Sequence, residues 1–388
     1  MLTCCLLLPL NLLVAQEPPR LRTDLPNGAT VLAETFSGSK LMSVQLFASS
    51  RGVADTPQTH GYRHLLEHMI VKGVKGDLDM RLESKGVFLR AETYRDFMHV
   101  AIMGRAEQMD LALDAVKQIL QPPHWTKEQL AKEAHVISEE LALLPDSILF
   151  SNAMWRQAFG DAGVDPMGDS ETIAGVTPER LEALHKAHFA TPNLLLVVTG
   201  PLGVDEATRK AKAVLERLPP STAAEPPPAL EGKPGRVEVA GAFGEARGAI
   251  VHGVGSDETA WVLAAAFAIS TLVDGATLTY TPSARGGLII VGQTAENGGL
   301  GVKIDALTDG ERVAYFESSK NVAHWWIAAQ LSSPAAGGLL RGELMVQSRS
   351  KKPERLLEAI DAMTQEEFLR GFKAFDKDAA VIGVGVKR

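Results

Sequence analysis

The alternation of apolar and polar positions divides the chain into short strands and longer helices. Leu25-Pro26-Asn27-Gly28 reads as a turn, followed by a strand over Ala29–Ala33. Ser43–Ala48 alternates as a half-buried strand should, so a hairpin-like pair is expected to open the fold. From Met109 to Leu120, the residues Leu113, Val116, Ile119 and Leu120 fall at helical spacing until Pro122-Pro123 ends the run. A second helical window spans Lys127–Leu144 and stops at Pro145. Thr177 with Pro178 has the form of a helix start, an N-cap followed by proline at the first position. That helix should run to about Phe189, with a buried strand over Leu194–Gly200 behind it.

Prolines at 219, 220, 226, 227 and 228 give the next stretch the makeup of a stiff linker. A shift of 187 residues then superposes Thr177 on Thr364, Glu179 on Glu366, Leu181 on Phe368 and Lys186 on Lys373, and each segment is followed by an apolar strand. One helix–strand unit thus occurs twice, which implies two related domains rather than a solenoid. The expected organisation is a signal-like segment over 1–16, an N-terminal domain over 17–218, a linker over 219–236 and a shortened second copy over 237–388. The fold class that follows is α+β, each domain a mixed or antiparallel sheet with helices packed on one face.

Residues 2 to 15 are almost wholly apolar and give way to Gln16-Glu17-Pro18-Pro19, the outline of a cleaved export signal, although no Lys or Arg precedes the run. A periplasmic or secreted protein is expected, with a buried N-terminal strand in a cytoplasmic protein as the alternative. No later stretch is long and apolar enough to span a bilayer. The net charge of −8 lacks the basic surplus that a nucleic-acid partner would demand. Both cysteines, Cys4 and Cys5, lie in the leading segment, so a metal in the body of the protein must be held by His, Asp or Glu.

His64-Leu65-Leu66-Glu67-His68 supplies such a set. On a helix, positions 64 and 68 stand one above the other and Glu67 lies three residues from His64, so the three groups can face one small volume. Two imidazoles suit zinc, and a carboxylate beside a metal-activated water can take its proton. A third ligand should come from another element, and the Lys127–Leu144 helix offers Glu133, Glu139 and Glu140. Glu133 and Glu140 share a face, Glu139 is rotated about 100° from Glu140, and spacing alone leaves all three open.

Gly61 through Gly73 resembles the signature of the pitrilysin/insulinase family of zinc metallopeptidases, the inverzincins. The opening turn at 25–28, Gly86 through Asp96 as a substrate-side strand, Glu133 to Glu140 as an E-x6-E helix, and Asp165-Pro166-Met167-Gly168 through Asn193 and Gly200 are similar to the same family. The resemblance implies one zinc per chain held by His64, His68 and Glu140, with Glu67 as general base and Glu133 as a supporting carboxylate. It implies a metalloendopeptidase that hydrolyses short or unfolded peptides laid as an added strand on a sheet edge. It also implies pairing, as a homodimer or with another insulinase-like subunit. A non-catalytic subunit that binds peptides beside an active partner is the alternative.

Two departures from the family stand out. Arg90 occupies the place before Ala91-x-Thr93 where the family usually has Asn, and its guanidinium could favour acidic or C-terminal groups or simply be a solvated edge charge. In the second half, Gly275–Ala284 looks like a remnant of the family's Gly-x-x-Tyr segment, making Tyr280 the candidate catalytic tyrosine or a core residue. The Arg-bearing helix expected before it is missing.

Overall fold

The computed structural model describes residues 19–73, 76–222, 224–225, 227–254, 256–294, 299–348 and 355–386. The signal-like segment over 1–16 lies outside the described residues. The first half runs β1 (Arg20–Asp24), β2 (Thr30–Thr35), β3 (Leu41–Ser49), α1 (Tyr62–Lys72), α2 (Leu78–Glu83), β4 (Phe88–Thr93), β5 (Phe97–Arg105), α3 (Met109–Ile119), α4 (Lys127–Ala142), α5 (Asp146–Phe159), α6 (Ser170–Ala174), α7 (Pro178–His188), β6 (Leu194–Gly200) and α8 (Val204–Leu215). The second runs β7 (Gly235–Ala240), β8 (Glu245–Val251), α9 (Asp257–Leu272), β9 (Ala276–Pro282), β10 (Gly287–Gln293), α10 (Leu300–Ala306), α11 (Asp309–Val313), α12 (Phe316–Leu331), α13 (Pro334–Ser348), α14 (Arg355–Ala362), α15 (Gln365–Lys373) and β11 (Val381–Val386). Among the described residues between Leu215 and Gly235 there is no helix or strand.

The first sheet has the strand order β1-β2-β6-β3-β5-β4 and the second β7-β11-β8-β10-β9. Both are mixed: β2 and β6 pair in parallel, as do β11 and β7, and the remaining pairs are antiparallel. This is the expected α+β class. The hairpin-like pairing of the two opening strands is corrected, because β6 lies between β2 and β3 and hydrogen-bonds to both. Leu194–Gly200 is buried along its whole length, and only a position with a neighbour on each side satisfies its backbone while covering its side chains. The turn at 25–28 instead joins β1 to β2, which pair antiparallel.

The 187-residue offset extends beyond the motif that revealed it. Leu194 and Val381 open β6 and β11, Pro178 and Gln365 open α7 and α15, and Thr177 and Thr364 both cap their helices through the side chain. The pairs α5 and α13, and α4 and α12, fall within two residues of the same offset. Strand β1 and helix α2 have no counterpart among the described residues, which accounts for part of the shorter second copy.

Each sheet buries one face under its own half's helices, forming two large apolar clusters. The opposite faces are covered by exchange. Helix α5 of the first half lays Phe150, Met154, Trp155 and Ala158 on Val239, Ala246, Leu288 and Ile290 of the second sheet. Helix α13 of the second half sets Met345 against Leu32, Phe47, Phe97, Leu195 and Val197 of the first sheet. Gly342 permits this contact, since a Cβ there would stand 2.2 Å from the Phe47 ring. A buried ion pair, Arg341 Nη1 to Glu34 Oε2 at 2.8 Å, fixes where α13 sits over β2.

Candidate metal centre

Helix α1 begins at Gly61 in left-handed conformation, φ 85°, and ends at Gly73, whose N–H returns to the Ile70 carbonyl. Leu65, Leu66, Met69 and Ile70 bury one side of it in the first core. Its rotation is set by Arg63, a fully buried guanidinium that donates to Ser50 Oγ at 2.8 Å, to the Arg95 carbonyl at 3.2 Å and to the Asp55 carboxylate. With that face fixed, His64, Glu67 and His68 turn towards α4.

On α4, Leu130, Glu133 and Ile137 are buried, and Glu140 lies two turns from Glu133 on the same face. His64 Nε2 is 3.6 Å and His68 Nε2 3.4 Å from Glu140 Oε2. One ligand atom from each of His64, His68 and Glu140 lies within 4.8 Å of the others. Glu133 Oε2 is 3.4 Å from His68 Nδ1. Glu139, the alternative left open by spacing, points away: it is 69% exposed and pairs with His135 at 3.5 Å.

Protonation follows from the hydrogen bonds. His64 Nδ1 is 3.1 Å from the Met167 carbonyl, which can only accept, so Nδ1 carries the proton and Nε2 presents a lone pair. Burial, then the neighbouring His68, pulls the His64 imidazole down to a pKa of about 4, so it is neutral at physiological pH. His68 Nδ1 likewise donates to Glu133, which orients its Nε2 towards Glu140. Two imidazole Nε2 atoms and the Glu140 carboxylate therefore converge on one small volume. Tetrahedral zinc with bonds of about 2.0–2.1 Å separates its ligands by roughly 3.3 Å, close to the two His–Glu140 distances of 3.6 and 3.4 Å. The donor set fits a divalent cation of the zinc type.

Glu67 stands beside this cluster. Burial raises its pKa, while a hydrogen bond from Thr93 Oγ1 to Oε2 at 2.7 Å and the nearby His68 oppose the rise. A cleft of about 670 Å3 opens alongside, lined by Glu67, His68, Glu140, Leu89, Ala91 and Trp125 among others. Its floor includes β4, which is an edge of the first sheet. Arg90 on β4 is exposed and pairs with Glu92.

Tyr280 is not brought to the cluster among the described contacts. It lies on β9, its ring packs 5.7 Å from that of Trp326, and its buried hydroxyl has no hydrogen-bond partner among the described residues. Burial, then Glu343, raises its pKa far above the ordinary phenol value. Two contributors carried no assigned role in the sequence: Thr93, which holds Glu67, and the Met167 carbonyl, which fixes the His64 tautomer. Both sit inside motifs that the sequence did mark, Ala91-x-Thr93 and Asp165-Pro166-Met167-Gly168. The second loop reaches α1 because Gly168 meets Gly61 backbone to backbone, where an added Cβ would lie 2.4 Å from the Gly61 Cα.

A His-x-x-Glu-His helix facing a Glu-bearing helix, on a two-sheet α+β frame, is the arrangement that the inverzincin motif leads one to expect. The family model for insulinase, peptidase family M16, matches residues 30–159, which contain every member of the cluster. An uncharacterized zinc protease of Streptomyces coelicolor is 25% identical over 208 residues, 50% of this chain and 44% of that protein. A probable mitochondrial-processing peptidase subunit beta of Arabidopsis thaliana is 24% identical over 214 residues, 53% of this chain and 40% of that protein. The match thus spans about half the length, or less, of the curated relatives. In fold, a protease from Helicobacter pylori superposes with a TM-score of 0.80 at 15% identity, covering 95% of this chain and 99% of that one. The resemblance that the signature implied is thus shown over residues 30–159, and the fold is similar to that of the solved protease over nearly the whole chain.

Proposed function

We propose that this chain is a zinc-dependent metalloendopeptidase that hydrolyses short or unfolded peptides. The observation that carries the reading is the convergence of His64, His68 and Glu140 beside Glu67 in a cleft floored by an edge strand. Those three residues hold the ion, one per chain, and Glu133 orients His68. Zinc bound there supplies a Lewis acid that polarises a peptide carbonyl and makes a water acidic near neutral pH. Glu67 accepts the proton of the attacking water and returns it to the leaving amine. Thr93 keeps Glu67 aimed while leaving its second oxygen available. The outer edge of β4 offers backbone groups to an extended peptide, so affinity comes from main-chain hydrogen bonds and tolerates varied sequences.

Residues 17–218 then form the zinc-binding domain and 237–388 its trimmed relative, joined by 219–236. The second half carries no ligand cluster of its own among the described residues. This agrees with a working unit that pairs two chains, as a homodimer or with another insulinase-like subunit. The apolar leader at 1–16 supports export, and no helix among the described residues is long and apolar enough to cross a membrane.

Metal content and cleavage of a quenched peptide library, for the chain and for Glu67→Gln, test this. About one zinc per chain in both, with cleavage reduced about 10²–10⁴-fold in the variant alone, is the expected result. Zinc in both with cleavage in neither would leave a binding subunit, and a chain without metal would overturn the ligand assignment.

A further inference from the structure

Away from the metal centre, the loops of the two halves enclose a second cavity of about 260 Å3. Its walls come from Ser49, Ser50 and Arg51 after β3, Arg95 and Asp96 in the β4–β5 turn, Ala284 and Arg285 in the β9–β10 turn, and the linker at Pro227 and Ala229. Three guanidinium groups thus face one carboxylate in a chain whose net charge is −8.

That carboxylate is already engaged, because Asp96 Oδ2 accepts the Ala284 N–H at 2.6 Å. Arg95 is held by neutral groups only: its terminal nitrogens donate to the Val164 carbonyl at 2.6 Å, the Gly163 carbonyl at 3.4 Å and Asn152 Oδ1 at 3.4 Å, and its plane lies 4.1 Å from the Trp155 ring centroid. Arg285 donates from Nε to the Pro228 carbonyl at 2.9 Å, and its two terminal nitrogens donate to no described residue. Neither Arg95 nor Arg285 has a carboxylate within ion-pair distance among the described residues. Asp55, Asp96 and Asp165 act on these cations only from beyond ion-pair distance, so their guanidinium forks stay incompletely matched, and such forks suit planar or tetrahedral oxyanions. The cavity has room for several waters at roughly 30 Å3 each, hence for a carboxylate or phosphate group.

We propose that this cavity is an anion-binding site that takes a carboxylate or phosphate group and clamps the two halves together. Because the ligand touches loops of both halves and the linker, it binds the assembled chain only and raises its melting temperature. The test titrates the full chain, separately, with inorganic phosphate and with succinate, ionic strength being held constant with sodium chloride. A saturating rise in melting temperature with either anion is expected. Phosphate alone identifies a phosphate site, succinate alone a carboxylate site, and both the shared chemistry. Arg285→Gln should weaken the apparent affinity about tenfold or more. Arg51→Gln provides the same comparison if the first variant does not fold. Shifts no larger than those with chloride, or equal in chain and variant, would overturn the proposal. Neither arginine touches the metal cluster, so the outcome is independent of the peptidase reading.

Discussion

Helices α1 and α9 occupy the same place in their two halves, each following an inner strand and packed on the helix-covered face of its sheet. Between Thr259 and Leu272, α9 has no ionisable residue, and Ala260, Ala264, Ala265, Ala266 and Ala268 are all buried. Small side chains let α12, α14 and α15 close around it, and its apolar surface extends all round, as expected of a core helix. Helix α1 buries only part of its circumference and spends the rest on His64, Glu67 and His68. The same division separates α4, with Glu133 and Glu140, from α12, whose inward residues are Phe316, Ser319, Ala323 and Ile327. The second half thus shows what these positions become when only packing selects them. The first shows a polar cluster kept at a cost in burial that a bound divalent ion would offset.

Exchanging the two roles gives the largest effect. Ala265→His places an imidazole in a site with no space and no partner, and should cost about 3–5 kcal/mol in urea unfolding. His68→Ala in α1 should change the stability of the metal-free chain by less than about 1 kcal/mol while removing stoichiometric zinc. The carboxylates of α4 should grade in the order of their geometry. Glu140→Ala should abolish tight metal binding, Glu133→Ala should weaken it about 10–100-fold, and Glu139→Ala should leave it unchanged, as read by competition with a chelating dye. An equal loss from Glu139 would break the assignment of the ligand face.

A smaller effect concerns His99, which burial holds at a pKa of about 3 and whose Nε2 meets Gln45 Oε1 at 2.8 Å. Below pH 6.5 the unfolded chain takes up a proton that the folded chain refuses, so acid favours unfolding down to about pH 3. Relative to His99→Gln, the native chain should lose about 1.4 kcal/mol per pH unit below 6.5, measured as paired denaturation curves. Least of all, Tyr280→Phe should leave cleavage within about threefold and stability within about 1 kcal/mol, because its buried hydroxyl forms no hydrogen bond among the described residues. A drop in kcat of about a hundredfold would instead restore a catalytic role to it.

Local signals gave helices α1, α3, α4, α7 and α15. The caps at Thr177 and Thr364, the proline stops, and the spacing of His64, Glu67 and His68 all carry their meaning within a few residues. The pairing of β2 with β6 did not show, because the partner arrives some 160 residues later and nothing in Ala29–Ala33 specifies it. The third ligand stayed open for a similar reason: Glu133, Glu139 and Glu140 differ in which way α4 is turned, and that is decided by Leu130 and Ile137 entering the core. The role of the Met167 carbonyl was invisible in any side-chain pattern, since a backbone oxygen performs it. The repeat was visible at one end only, where α7–β6 and α15–β11 retained matching residues.

The exchange of α5 and α13 has a consequence for synthesis. When the first sheet is complete at Gly200, the helix that covers its far face does not begin until Pro334. At about 5–20 residues per second, the apolar surface of Phe47, Phe97, Leu195 and Val197 waits roughly 7–30 seconds for its cover. The newborn first half is therefore a natural client for chaperones, and translation pauses between β6 and α13 should lower the yield of folded protein more than pauses before β6.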